Sequence, residues 1–342
     1  MSEFSQSLWI HERFLDMNDT YLIDSGKGWP TVWISAWVHG NEHFWVQVTQ
    51  DFLERIRYTS LPLLRWRVVL ILRGNDEALQ KNIRFIEDDL NRVVDKVPEV
   101  ELRDNYEQRR GREVRNLINT IEPQAWLDLH SFSAPTWLPY AFSWLEWYRT
   151  LGSQLGIQNM AVNMANANKK LAGGKLEWRG VADYVNDSGA CGFTFEAGNH
   201  IDPQCLVSTY QALINFLVTQ EMTEAKEVQI DSGWESWESS IWLMPHNDIV
   251  KIWGTESQHV HIEEKHVFKW GFRYAWAHPQ SFRRYQEWEL IGHDIVTYQG
   301  IPWTEVEVRA PYDGYIIMPK DPEICITGKE VFYYGKDMRD VA

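Results

Sequence analysis

The stretch Thr31–Glu42, TVWISAWVHGNE, decides how the rest of the chain is read. Val32, Trp33 and Ile34 are β-branched or aromatic, as suits a strand buried in a sheet. Gly40 breaks the run, and Phe44–Tyr58 follows with apolar residues at Val48, Phe52 and Ile56, a helical spacing. The turn between them carries His39 and Glu42. In open α/β sheets, ligands bind in the crevice beyond the carboxyl ends of the strands, so this HxxE pair stands where a site belongs. Such a pair commonly begins a zinc site, although a histidine after a strand is equally well explained as a polar loop residue.

The same alternation continues on both sides. Trp66–Arg73, WRVVLILR, is a near-continuous apolar run of the kind that forms strands covered on both faces. Ala125–His130, AWLDLH, and Cys191–Glu196, CGFTFE, read the same way. Helical stretches lie near Asn105–Thr120 and Pro203–Thr219, the second with Asp202 as N-cap and Pro203 in the first turn. This pattern predicts an α/β fold with a mostly parallel or mixed sheet flanked by helices. After about Glu221 the pattern shifts to short alternating segments (Ile249–Trp253, Glu305–Val308, Tyr315–Met318, Val331–Tyr334) separated by turns such as APYDG at 310–314. A smaller, all-β C-terminal domain is expected there. The chain of 342 residues therefore divides into 1–225 and 226–342, with Asp231–Ser240 as linker or first surface hairpin.

A net charge of −15 and a pI near 5.2 argue against nucleic acid and anionic membrane surfaces, which require clustered Lys and Arg. A small-molecule ligand is expected, and a local basic pocket for an anionic substrate is compatible with the acidic whole. The three cysteines, Cys191, Cys205 and Cys325, form no CxxC and no pairable framework, so they read as small core residues in a reduced, cytoplasmic protein. The first residues, MSEFSQSLWIHERF, resemble no export signal, and no run reaches the roughly 18 apolar residues that span a bilayer. Nineteen tryptophans, spread along the chain, read mostly as core or pocket wall. Homo-oligomerisation is left open.

Catalytic zinc takes three protein ligands and keeps one position for water, and two histidines with one glutamate are a recurrent set. His39 and Glu42 supply two, and His130, at the end of the AWLDLH strand, offers the third. A capped loop histidine would explain any one of them alone. Hydrolysis needs a proton-transfer partner as well. Glu196, ending an apolar strand before Ala197-Gly198, is the candidate, against the plainer reading of a solvated strand-end glutamate. The run Arg84–Arg92, RFIEDDLNR, is either an exposed turn or a clamp for a substrate carboxylate, a task that suits the bidentate arginine fork. Arg179 is a weaker candidate anion binder. His259–His266 places His259 and His261 on one strand face, but a solvent-facing strand explains them adequately.

HGNE at 39–42, GND-x-AL at 74–79, RFIEDDLNR at 84–92, DLH at 128–130 and FEAG at 195–198 resemble, in order and spacing, the succinylglutamate desuccinylase/aspartoacylase family, relatives of zinc carboxypeptidases. The resemblance covers Trp33–His200, with a looser match of VRAPYDGYIIMP at 308–319 to that family's C-terminal β domain. It implies a zinc-carboxypeptidase-like catalytic domain holding one Zn2+ through His39, Glu42 and His130. It further implies Glu196 as general base and acid and Asn91 with Arg92 as the carboxylate-binding pair. The activity implied is hydrolysis of the amide of an N-acyl amino acid or similar small carboxylate. A metallocarboxypeptidase acting on short peptides and a weakly active ligand-binding homologue are the rival readings. Two departures stand out. Glu77 lies two residues after Asn75, where aspartoacylase-like members carry an arginine implied to stabilise the oxyanion; either Arg73 or Arg84 substitutes, zinc alone suffices, or activity is low. The aromatic and proline-rich SFSAPTWLPYAFSW after His130 would, as an acyl pocket, favour a larger or less polar acyl group.

Overall fold

The protein is described from a computed structural model, which covers residues 9–12, 17–26, 31–36, 38–57, 67–94, 104–132, 139–144, 147, 157, 159–164, 180–200, 202, 204–220, 222, 258–275, 279–298, 301–325, 327–328 and 330–341. In chain order the first part comprises β1 (Trp9–Glu12), β2 (Thr20–Asp24), β3 (Thr31–Ala36), α1 (Phe44–Arg57), β4 (Arg67–Ile71), α2 (Asp76–Gln80), α3 (Leu90–Val93) and α4 (Tyr106–Ile121). Then come β5 (Ala125–Phe132), β6 (Tyr140–Ser143), β7 (Asn159–Val162), α5 (Val181–Asp187), β8 (Cys191–Asn199) and α6 (Gln204–Thr219).

Strands β4, β3, β5 and β8 pair in parallel and form the centre. Every residue of β3 is buried, which explains its unbroken apolar character: neither face of the strand is left to solvent for alternation. Helix α1 turns Trp45, Val48, Phe52 and Ile56 inward, the three- and four-residue spacing of a single buried stripe. Helix α4 starts at Asn105, whose side chain accepts from Gln108 N–H, and stops at Glu122 in the left-handed region. Trp33 and Trp126 stand opposite each other on β3 and β5 and stack with ring centroids 5.0 Å apart.

The C-terminal strands are β9 (Gln258–Val267), β10 (Phe272–Tyr274), β11 (Arg283–Tyr285), β12 (Leu290–Tyr298), β13 (Ile301–Arg309), β14 (Gly314–Ile317) and β15 (Glu330–Asp337). The described residues from 258 onward form strands and, as regular helix, only short 3-10 turns. Their main strands nevertheless continue the catalytic sheet: β6 pairs antiparallel with β8, β7 parallel with β6, and β9 parallel with β7. Among the described residues the result is one mixed sheet of twelve strands, β1-β2-β4-β3-β5-β8-β6-β7-β9-β15-β14-β11, beside a three-stranded antiparallel sheet, β10-β12-β13. An aromatic cluster bridges the two parts, with Tyr140 packed edge-on against Phe282 at 5.4 Å. The 225/226 division, Asp231–Ser240 and Ile249–Trp253 lie outside the described residues.

Cys191 and Cys205 are buried and Cys325 partly so, all unbonded to one another, and burial pushes the Cys191 thiol up to about 12. Tryptophans 33, 45 and 126 are fully buried, whereas Trp270 and Trp288 are 64% and 68% exposed and depart from the expected core role. In β9, His261 turns to Glu263 on its own strand at 3.2 Å and joins no metal-ligand cluster among the described residues. No described helix is long and apolar enough to cross a membrane.

Candidate active site

Strands β3, β5 and β8 end side by side, and their ends carry the chemistry. After β3 the chain turns sharply through Gly40, where a Cβ would collide with the backbone of Ala78 and Leu79. Gly40 N–H donates to the Arg84 carbonyl at 3.1 Å, so the turn bearing His39 is pinned to the segment bearing Arg84. His130 and Glu196 are direct neighbours in the β5–β8 register and thus share a face of the sheet, and a register shift follows immediately between His130 and Phe132.

His39, Glu42 and His130 are all buried, and each offers one ligand atom within 4.8 Å of the others. His39 Nδ1 lies 2.7 Å from Glu42 Oε1, and His130 Nδ1 lies 3.5 Å from Glu42 Oε2. The opposite nitrogens are held by aspartates: His39 Nε2 by Asp89 at 3.3 Å and His130 Nε2 by Asp128 at 2.9 Å. Both rings therefore turn Nδ1 toward the same carboxylate. Glu42 is fixed in turn by Trp45 Nε1–H at 3.1 Å and Ser131 N–H at 3.2 Å, both donating to Oε2. Behind His130 runs a buried relay in which Trp126 Nε1–H donates to Ser35 Oγ at 2.9 Å and Ser35 donates to Asp128 Oδ1 at 2.6 Å.

Burial opposes ionisation of Glu42, but His39 and His130 outweigh it and hold the carboxyl far below its usual range. Burial likewise opposes a charged His130, and Asp128 with Glu42 reverses this and raises it well above the ordinary histidine value. This cluster is built to neutralise cationic charge. Its donor set, two imidazole nitrogens and one carboxylate oxygen with aspartates behind both rings, fits zinc.

Glu196 is 8% exposed, and its Oε2 has no hydrogen-bond partner among the described residues. Burial, helped by Glu42 and Asp128, pushes its carboxyl up to about 7 against the opposing pull of His130 and Arg84. A carboxyl titrating near neutrality both takes and returns a proton readily. Arg84 Nη1 stands 3.9 Å from Glu42 Oε1 with its side chain 45% exposed, which leaves donors available at the edge of the cluster. Glu77, by contrast, points to solvent from α2. Asn91 Oδ1 accepts Val181 N–H at 2.8 Å and so holds the start of α5, while Arg92 Nη1 donates to the Asn91 carbonyl at 3.3 Å. Burial disfavours the Asp89 anion, yet His39, Arg92 and Arg84 hold it well below the usual carboxylate range, and Asp89 thus ties the clamp run to the His39 turn. Arg179 and residues 133–138 of the expected acyl pocket lie outside the described residues. Phe132, Tyr140 and Phe142, from the same segment, pack into the aromatic cluster that joins the two parts of the sheet.

Sequence reading missed Asp89 and the Ser35–Asp128 relay. Asp128 had a signal: two residues before His130 on a strand, it must share that histidine's face.

A family described as succinylglutamate desuccinylase/aspartoacylase catalytic domain matches residues 29–217, more than half of the chain. The chain belongs to this family. Its members are hydrolytic deacylases. Among solved structures, a succinylglutamate desuccinylase from Vibrio cholerae matches with a TM-score of 0.65 at 14% identity, over 97% of this chain and 88% of that one. A succinylglutamate desuccinylase/aspartoacylase from Rhodobacter sphaeroides matches with a TM-score of 0.63 at 15% identity, over 93% and 88%. The product-bound ectoine utilization protein EutE (DoeB) from Ruegeria pomeroyi matches with a TM-score of 0.61 at 14% identity, over the same shares. At these identities the likenesses show the fold, including the C-terminal strands beyond residue 217.

Proposed function

We propose that this family member is a zinc-dependent hydrolase, with one Zn2+ per chain, that cleaves the amide bond of an N-acyl amino acid or similar small carboxylate. The observation that carries this is the convergence of His39, Glu42 and His130 within 4.8 Å, beside a buried Glu196 whose Oε2 finds no partner among the described residues. Zinc held by these three residues would supply Lewis acidity toward the scissile carbonyl and lower the pKa of the attacking water.

The protein's own groups do the rest. Glu196 accepts the proton of the attacking water and passes it to the departing amine. Arg84 donates to the oxygen on which negative charge develops, taking the part that Glu77 cannot. Asn91 and Arg92 hold the substrate carboxylate, the arginine through its paired donors. Asp89 and Asp128 keep both imidazoles aimed at Glu42.

Metal analysis of the purified protein and of His39→Ala, run with a hydrolysis panel of N-acyl amino acids and short peptides, tests the reading. Stoichiometric zinc lost in His39→Ala, together with turnover of N-acyl amino acids, supports it. Absent zinc, or zinc unaffected by the substitution, refutes the metal assignment. Turnover of peptides alone would transfer the protein to carboxypeptidase chemistry.

A further inference from the structure

The segment that carries Arg84, Asp89, Asn91 and Arg92 owes its shape to a residue outside it. Glu107, in the first turn of α4, is completely buried. Its Oε1 accepts Ile86 N–H at 2.6 Å and the Asn75 side-chain amide at 3.5 Å. Its Oε2 accepts Glu87 N–H at 3.3 Å and Asp88 N–H at 3.5 Å. Three consecutive backbone N–H groups thus converge on one carboxylate, the concave arrangement with which backbones commonly grip anions. The α4 N-terminus adds its own positive end to the same place. Beside it, Asp88 Oδ2 accepts from Asn105 Nδ2 at 2.8 Å and Gln108 Nε2 at 2.7 Å, so the run is tethered twice to one helix end.

The consequence follows from connectivity. Arg84 lies two residues before the gripped amides, and Asp89, which binds His39 and accepts Asn91 N–H at 3.0 Å, lies one residue after them. From these contacts we infer that Glu107 is a positioning residue for substrate binding: it moulds residues 86–88 so that Arg84, on one side, and Asn91 with Arg92, on the other, face the substrate together. The inference rests on reading this run as the carboxylate clamp. A glutamine at 107 cannot replace the carboxylate, because either orientation of the amide sets its NH2 against two N–H donors: Ile86 with Asn75, or Glu87 with Asp88.

The test measures full-length wild type and Glu107→Gln, with zinc content and melting temperature recorded, on whichever N-acyl amino acid the wild type turns over. The expected result is a KM raised about tenfold through Asn91 and Arg92 and a kcat lowered about tenfold as Arg84 shifts from the developing charge, with zinc retained. Val114→Ala, which loosens the core face of the same helix, serves as the stability control and should lower the melting temperature while leaving KM unchanged. A folded, zinc-loaded Glu107→Gln with wild-type KM overturns the inference, as does a Val114→Ala that raises KM equally. If Glu107→Gln does not fold, Glu107→Asp, which keeps the charge but draws the carboxylate back from the three backbone N–H groups, is read by the same criteria. Arg92→Ala separates the two levels: KM sensitive to Arg92 but not to Glu107 overturns this inference alone, and KM sensitive to neither overturns the clamp reading as well.

Discussion

His130 on β5 and His266 on β9 each bind an aspartate through Nε2, at 2.9 Å from Asp128 and 2.7 Å from Asp294. Around His266 the pair is closed off: Phe332 stacks on the ring at 5.1 Å, Phe272 flanks it, and Lys269 lies 3.6 Å from the second aspartate oxygen. Around His130 it is left open, with Nδ1 facing Glu42 and, across it, His39. A histidine–aspartate pair becomes a candidate ligand only where the ring's other nitrogen converges with further donors. The ends of the parallel strands provide that convergence. The antiparallel strands provide a lysine counter-charge and an aromatic wall, which makes the second pair a structural tie.

The largest expected effect falls on the open side. Glu196→Gln should lower kcat by about 100- to 10,000-fold with zinc content unchanged, whereas His266→Phe should leave kcat within about twofold, as steady-state kinetics would measure. A comparable loss in both would erase the contrast. Glu196 should also exact a stability cost in the metal-free protein, because its carboxyl is raised from 4.5 to about 7 on folding. Below about pH 4.5 both folded and unfolded chains are protonated there and nothing is lost. As pH rises through 7 the unfolded chain holds the ionised form more easily, and the cost levels off at about 3 kcal/mol. Glu196→Gln should therefore melt several degrees higher than wild type at pH 8 in chelator and together with it at pH 4; equal melting at both would refute the assignment.

Asp128→Asn should weaken zinc about 10- to 100-fold in a competition titration, and Asp294→Asn should not change it. The smallest effect concerns Lys320, whose ammonium lies 2.6 Å from Glu330 Oε1. Burial opposes ionisation of Glu330, but Lys320 overcomes it and keeps the carboxyl below 4.5. That stabilisation is present above the unfolded value and is lost as pH falls through the folded one. Lys320→Met should cost about 1 kcal/mol at pH 7, less near pH 3, with unchanged kinetics.

The parallel core and the strand-end residues were legible because both are local signals. Apolar runs of strand length mark covered strands, and HGNE, DLH and FEAG sit where those runs stop. Glu107 was not legible: it is 21 residues from Ile86 and reads as an ordinary acidic residue in a helix's first turn. The placing of Arg84 rather than residue 77 beside Glu42 depends on how the turn at Gly40 packs, which no spacing encodes. Alternation likewise announced C-terminal strands without revealing their partner, because the β7–β9 pairing joins Asn159 to Gln258 across a long stretch of chain.

That pairing bears on how the protein can be handled. Strand β7 is an interior strand only because β9 lies along it. A chain ending after α6 would retain every proposed catalytic group and yet present β7 as an open edge, with main-chain donors and acceptors ready for another molecule's strand. Aggregation on expression, rather than a smaller active enzyme, is the outcome to expect from such a truncation.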